Sequence, residues 1–218
     1  MPKIVDHDAR RQLIARAVLN VVAREGVRGV TIRHVAGEGD WSVGVLSHYF
    51  EDKQALLVAA LREATGTVSA RMHATASIRN SCERIRALLE AGMPLDAERV
   101  ATCRIFYYFQ AEGVVDEDLS QELARNYAAW RSAVRKAVVA SQAVGLFAAH
   151  EPGALAESLV GLAEGLGVQS MFDPRTMTSA RLRQRLSRVI DHLAGDASSG
   201  ARVEAAVGRR APADRRST

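Results

Sequence analysis

Residues Thr31 to Leu57 read TIRHVAGEGDWSVGVLSHYFEDKQALL, and this stretch decides the fold. Ile32, Val35 and Ala36 recur at helical spacing, Gly39-Asp40-Trp41 breaks the pattern, and Val45, Leu46 and Phe50 resume it. Two short helices joined by a three-residue turn are expected, with Thr31 and Ser42 as N-caps whose hydroxyls accept orphan backbone N–H groups. Ala36 is small where the two helices must cross. Asp40 occupies a turn position that favours positive φ, which glycine adopts freely and aspartate at some cost. Helices this short gain little from their own propensity. Presenting an outer face to a nucleic-acid groove gives the second one a purpose, as in a recognition helix. Hairpins of this shape also occur in helical proteins that never touch DNA.

Working outward, almost every segment follows the helical period and almost none alternates. Residues 8–25 predict an amphipathic helix with Leu13, Ala17, Val21 and Arg24 on one stripe and Ile14, Val18 and Val22 beside it, stopped by Gly26 and Gly29. A long helix over 52–74 buries Leu56, Leu57, Ala60 and Leu61. Further helices are expected over 79–92, 96–112, 116–143, 152–172 and 179–193, punctuated by Gly92, Gly113, Gly145 and Pro174. The fold class is therefore all-α, with nine helices. A three-helix helix-turn-helix domain occupies residues 1–53 and a larger helical domain 54–195. Residues 196–218, a Gly/Ala/Ser/Arg mixture with no apolar face, are expected to be disordered.

Composition removes several classes. The chain has 218 residues, 48% apolar and 25% charged, ordinary values for a globular protein. Two cysteines, Cys82 and Cys103, cannot build a secreted disulfide scaffold, and a reducing cytoplasm fits them. They have no Cys or His companions at ligand spacing, so neither a metal site nor a cofactor is expected. The longest charge-free apolar run, Ala137 to Ala149, is too short for a membrane span, which needs about 20 residues. The opening MPKIVDHDARR has no apolar signal core, so no export is expected. Net charge is +4, but residues 1–53 hold eight basic against seven acidic side chains. Charge alone does not identify a nucleic-acid binder.

The spacing of Glu25-Gly26, Thr31-Ile32-Arg33, Val35-Ala36, Ser42, Gly44, His48-Tyr49-Phe50 and Lys53-Ala55-Leu56 resembles that of the tetracycline-repressor-like (TetR) transcriptional regulators. The opening MPKI, Arg10-Arg11, Ser47-His48-Tyr49-Phe50, the Tyr127-Trp130-Arg131 region and Glu164-Gly165-Leu166 look most like the branch of choline-responsive betaine-gene repressors. Asp40, Trp41, Ser47 and Gly37-Glu38-Gly39 depart from the family pattern. The resemblance implies a DNA-binding homodimeric repressor released from a palindromic operator by a small-molecule effector. It places Ser42 to Tyr49 in the major groove. Gly44 would let backbone approach the duplex, and Val43 and Val45 offer methyl contacts suited to thymine. Thr31, Ser47, His48, Tyr49 and Lys53 would hold phosphates, and Arg33 would reach a phosphate or a guanine edge. Lys3, Arg10 and Arg11 would form an arm along the backbone. The recognition helix carries no Arg, Asn or Gln, so DNA shape is expected to share in specificity.

For the larger domain the family implies dimerisation and effector sensing. One short helix reads a half-site weakly, whereas a twofold dimer sets two of them about 34–36 Å apart. The expected dimer face is the last two helices: Leu155, Leu159, Leu162 and Leu166 with small Gly161, Ala163 and Gly165, against Leu182, Leu186, Val189, Ile190 and Leu193. These stripes would equally serve an internal core. Four consecutive aromatics, Phe106 to Phe109, stand out in a chain with 5% aromatics. Phe106, Tyr107 and Gln110 share a helix face and, with Tyr127, Trp130 and Glu164, could enclose an effector pocket suited to a cation. On this reading Trp130→Ala changes the effector response and leaves DNA affinity intact. The alternatives are a helical adaptor or an enzyme built in a bundle, but no phosphate loop, metalloprotease motif or nucleophile elbow is present, so no catalysis is expected.

Overall fold

The computed structural model describes residues 7–114 and 116–195, so the expected arm at Lys3 and the expected tail from residue 196 lie outside the described residues. Among the described residues there are nine α-helices and no strand: α1 (His7–Glu25), α2 (Ile32–Glu38), α3 (Val43–Tyr49), α4 (Lys53–Ala74), α5 (Ser81–Glu90), α6 (Ala97–Gly113), α7 (Glu117–Gln142), α8 (Pro152–Phe172) and α9 (Ser179–Gly195). Every expected helix is present. Two 3₁₀ turns, Val27–Gly29 and Thr75–Ser77, escape sequence reading because three residues are too few to display a period. None of these helices is long and apolar enough to cross a membrane.

Capping sets the starts. Thr31 accepts from the His34 N–H, Ser42 from Val45, Asp52 from Ala55, Asn80 from Glu83, Asp96 from Arg99 and Asp116 from Leu119. Each relieves one donor that the first helical turn leaves unpaired. Asp40 adopts φ 53° in the turn between α2 and α3, as its position required.

Two apolar clusters hold the molecule together. The first gathers Ile14, Val18, Val21 and Val22 of α1, Val35 and Ala36 of α2, Leu46 of α3, and Leu56, Leu57, Ala60 and Leu61 of α4. Ile105 and Phe109 of α6 and Leu123 of α7 complete it. The second joins α5, α7, α8 and α9 around Ile85, Leu89, Trp130, Val134, Leu159, Leu182 and Ile190. Helix α6 lies against α1, and the Arg104 guanidinium donates to the carbonyls of Val22 (3.0 Å) and Ala23 (2.7 Å) in the last turn of α1. The Val22 carbonyl also accepts from the Gly26 N–H (3.0 Å), and both carbonyls lie at the negative end of the helix dipole.

Three expectations need correction. Leu13 is 49% exposed, because the inward arc of α1 is centred on Ile14 and Val18 and leaves Leu13 at its edge. Val45 turns outward, and Leu46 alone of α3 is buried. Leu155, Leu159 and Leu166 of α8 and Leu182, Leu186 and Ile190 of α9 lie in this chain's own core, with Leu162, Val189 and Leu193 half-buried against it. Helix α8 covers α7 and α9 covers α5, so the most apolar stripe of each is used within the chain. Outward α8 turns Ala154, Glu157, Ser158, Gly161, Gln169 and Phe172, the last 85% exposed, with Gly165 half-buried; an added Cβ on either glycine would meet nothing within 4 Å.

Candidate DNA-reading face and internal cavity

The outward side of the first three helices collects the residues expected to meet DNA. Thr31 and Arg33 are exposed on the first turn of α2. Ser42, Val43, Gly44, Val45, Ser47 and His48 are exposed along α3, and Lys53 is exposed at the start of α4. Tyr49 is half-buried, its ring 5.5 Å from that of His7 and 5.3 Å from that of His48. The cap roles of Thr31 and Ser42 use their oxygens as acceptors and leave the hydroxyl protons free to donate outward. Val43 and Val45 are exposed apolar side chains on a helix of only seven residues. Nothing among the described residues covers them. A Cβ on Gly44 would find only the Ser42 hydroxyl, at 3.9 Å, so among the described residues the smallness of this residue answers to no packing need.

Polar contacts tie α2 to α1 and to the turn before it. Arg24 near the end of α1 pairs with Glu38 at the end of α2 (2.6 Å), and Asn20 donates to the same carboxylate (3.1 Å). The Arg24 hydrogen bond is the main reason the Glu38 carboxyl sits below its usual range. His34 Nδ1 lies 2.9 Å from the Gly29 carbonyl and fastens α2 to the preceding 3₁₀ turn.

A cavity of about 160 Å³ lies between α4, α6, α7 and α8. All six residues expected at an effector site line it: Phe106, Tyr107, Gln110, Tyr127, Trp130 and Glu164. Their polar atoms converge. Tyr127 donates its hydroxyl to Glu164, and Gln110 Nε2 donates to Glu164 Oε1 (3.0 Å) and to the Tyr127 oxygen (2.6 Å). Burial first, then the neighbouring carboxylate, push the Tyr127 phenol far above its ordinary pKa, so it remains a donor. Burial does the same to Tyr107. The remaining wall mixes apolar and aromatic side chains with the polar Thr65, Ser69 and Asn126, so the cavity offers rings, a few uncharged polar groups and one anchored carboxylate, a combination suited to an organic cation.

Trp130 has a second task. It is 9% exposed, its Nε1–H donates to the Leu88 carbonyl (2.9 Å), and its ring fills the space beside Gly92, where a Cβ would come within 2.9 Å of it. It is therefore core as well as cavity wall. Truncating it is therefore expected to lower stability as well as to change an effector response.

Sequence reading missed the wall given by α4: Thr65, Val68, Ser69 and Met72. Their i, i+3, i+4, i+7 spacing marks one helix face, but their chemistry is too plain to announce a site. Asn126 of α7, also missed, reaches Thr65 across the cavity edge (3.4 Å).

Residues 82–195, just over half of the chain, match the profile of the C-terminal domain of BetI-type transcriptional repressors. Among curated relatives, the transcriptional regulator PksA of Bacillus subtilis is 25% identical over 196 residues, covering 88% of this chain and 94% of the relative. The regulator BetI of Cronobacter sakazakii is 27% identical over 202 residues, covering 88% and 98%. A solved TetR-family regulator from Rhodococcus superposes with a TM-score of 0.69 at 27% identity, over 86% of this chain and all of the other. A regulator from Saccharomonospora viridis, solved in complex with choline, shares the fold with a TM-score of 0.76 at 24% identity, over 85% and 97%. The matched family and these relatives define the class, a transcriptional regulator rather than an enzyme. The chain belongs to the BetI-type repressors of the TetR family of DNA-binding regulators.

Proposed function

We propose that this protein is a cytoplasmic homodimeric repressor that leaves a palindromic operator when a small organic cation fills the cavity. The observation that carries the reading is the double use of α4. Leu56, Leu57, Ala60 and Leu61 lock its first half into the core under the recognition helix, and Thr65, Val68, Ser69 and Met72 of its second half line the cavity. A ligand that pushes on the second half tilts the first. Because α6 is fixed to the end of α1 through Arg104, the reading head shifts against a braced support.

In this reading residues 1–53 form the DNA-binding unit and 54–195 the sensing and pairing unit, with α4 as the lever between them. Thr31, Arg33, Ser47, His48, Tyr49 and Lys53 contact phosphates, with a guanine edge as the other target for Arg33. Val43, Gly44 and Val45 lie against base edges behind the Ser42 cap. Phe106, Tyr107, Tyr127 and Trp130 enclose the cation, and Glu164, oriented by Gln110, balances its charge. The choline bound in the Saccharomonospora structure makes choline the first ligand to try. Pairing uses the outward side of α8, where Gly161 and Gly165 admit a close neighbour, together with α9. A hundredfold loss of operator affinity on ligand binding needs about 2.7 kcal/mol of coupling.

The test is affinity selection of fragmented genomic DNA on the purified protein, followed by a salt and choline titration of the best fragment. Recovery of an intergenic palindrome, bound with steep salt dependence and released by choline, is the expected result. Random fragments at low salt would remove the operator reading. A palindrome indifferent to choline would keep the repressor and reject that cation.

A further inference from the structure

Two departures from the family pattern, Gly39 and Trp41, are one structural device. The Trp41 ring packs directly over the Gly39 backbone, so any side chain at position 39 would overlap it. The ring is half-buried at the entrance to α3, one residue before the Ser42 cap. From α1, the guanidinium carbon of Arg10 lies 6.0 Å from the centre of this ring. One residue further along α1, Arg11 lies 5.3 Å from the Phe50 ring centre and 5.9 Å from that of Tyr49, at the other end of α3. Each arginine of the pair thus lies within cation–π range of an aromatic ring at one end of the recognition helix.

We propose that Trp41 is a positioning residue that presets Arg10 for a phosphate at one edge of the major groove, with Tyr49 and Phe50 doing the same for Arg11 at the other. Trp41 precedes the seven-residue α3 and Phe50 follows it, so the two rings flank the helix at its opposite ends. A guanidinium stacked on a ring keeps all its N–H donors at its rim, so one side chain can hold the ring and bridge a phosphate together. Free arginines would have to be ordered at the moment of binding, and the rings remove that cost beforehand. This deepens the DNA-binding reading above and rests on it. It assigns to Trp41 a part in affinity although its indole need touch no DNA.

The experiment uses the full chain and a fluorescent 30-base-pair duplex of mixed sequence, titrated at several salt concentrations. Arg10→Ala should weaken binding roughly two- to fivefold and lower the salt slope by about 0.9. Trp41→Ala removes no charge, yet should lower affinity by a similar factor and reduce the slope with it. The double variant should be no weaker than either single one. Arg10→Lys keeps the charge and the surface position but cannot stack flat, and should lose part of the affinity without risk to folding. Additive losses, or an Arg10→Lys protein that binds like wild type, overturn the positioning role of Trp41 while leaving DNA binding intact. A wild-type chain that fails to bind the duplex even at low salt overturns both.

Discussion

Gly44 on α3 and Gly92 after α5 show how differently the two ends of the molecule are built. A Cβ on Gly44 meets nothing closer than the Ser42 hydroxyl at 3.9 Å, whereas one on Gly92 comes within 2.9 Å of the Trp130 ring. The smallness of the first glycine relieves no contact among the described residues, whereas that of the second makes room for a ring of the same chain. The same contrast runs through their surroundings. On the reading head Val43 and Val45 stand 49% and 38% exposed, with the polar side chains around them also facing out. Around the cavity Gln110, Tyr127 and Glu164 turn inward and satisfy one another. One end keeps its chemistry on the surface over a conventional core, and the other keeps it inside.

Breaking the inward side should cost the most. Trp130→Ala removes a buried ring and its hydrogen bond to the Leu88 carbonyl and opens space against Gly92. The expected loss is about 3–5 kcal/mol, read by denaturant unfolding. An unchanged midpoint would mean that Trp130 is only cavity lining, and the contrast with the reading head would fade.

The outward side should separate stability from binding. Gly44→Ala is expected to leave the melting temperature unchanged or to raise it by up to about 2–4 °C, since a Cβ there finds open space and alanine favours helix. It should nevertheless weaken operator binding by about tenfold, or about 1.4 kcal/mol, if backbone approaches the duplex at that point. Equal affinity would place the DNA elsewhere on the head. Lys53→Ala is a smaller change of a different kind. Lys53 is an exposed cation at the start of α4, and its loss should cost a few-fold in affinity on every sequence and lower the salt slope by about 0.9.

This division also explains what was legible beforehand. The reading head declares itself through local rules: Thr31 and Ser42 three residues before the amides they cap, and apolar residues at helical spacing. The cavity was half legible. Aromatic density drew attention to Phe106 and Tyr107, but Thr65 and Ser69 become walls only because α4 crosses α6 and α7, which no local pattern encodes. The stripes of α8 and α9 failed for a related reason. A row of leucines announces that it will be buried without saying against what, and here α7 and α5 reach it first. Gly39 and Trp41 looked like separate irregularities because their contact is stacking, which has no sequence period.

The smallest effect expected at neutral pH lies at Cys103, and it tests whether the cavity wall stays closed. Cys103 lines the cavity beside Trp130 and is 3% exposed, with its thiol directed to the Gly92 carbonyl at 3.4 Å. Burial, acting against the nearby Tyr107 hydroxyl and two arginines, pushes the thiol up from an ordinary 9.0 to about 12. Below pH 9.0 the thiol is protonated in folded and unfolded chains alike, so it adds no pH dependence to stability there. Between 9.0 and about 12 the unfolded chain releases its proton first, so stability should fall as pH rises through that window. Iodoacetamide at pH 8 should therefore leave Cys103 unmodified in the native protein and label it once denaturant is added, as peptide mass spectrometry would show. Labelling of the native protein at the unfolded rate would mean that the wall opens freely to solvent. The inward-facing region would then be as accessible as the reading head, and the contrast between Gly44 and Gly92 would describe only a resting state.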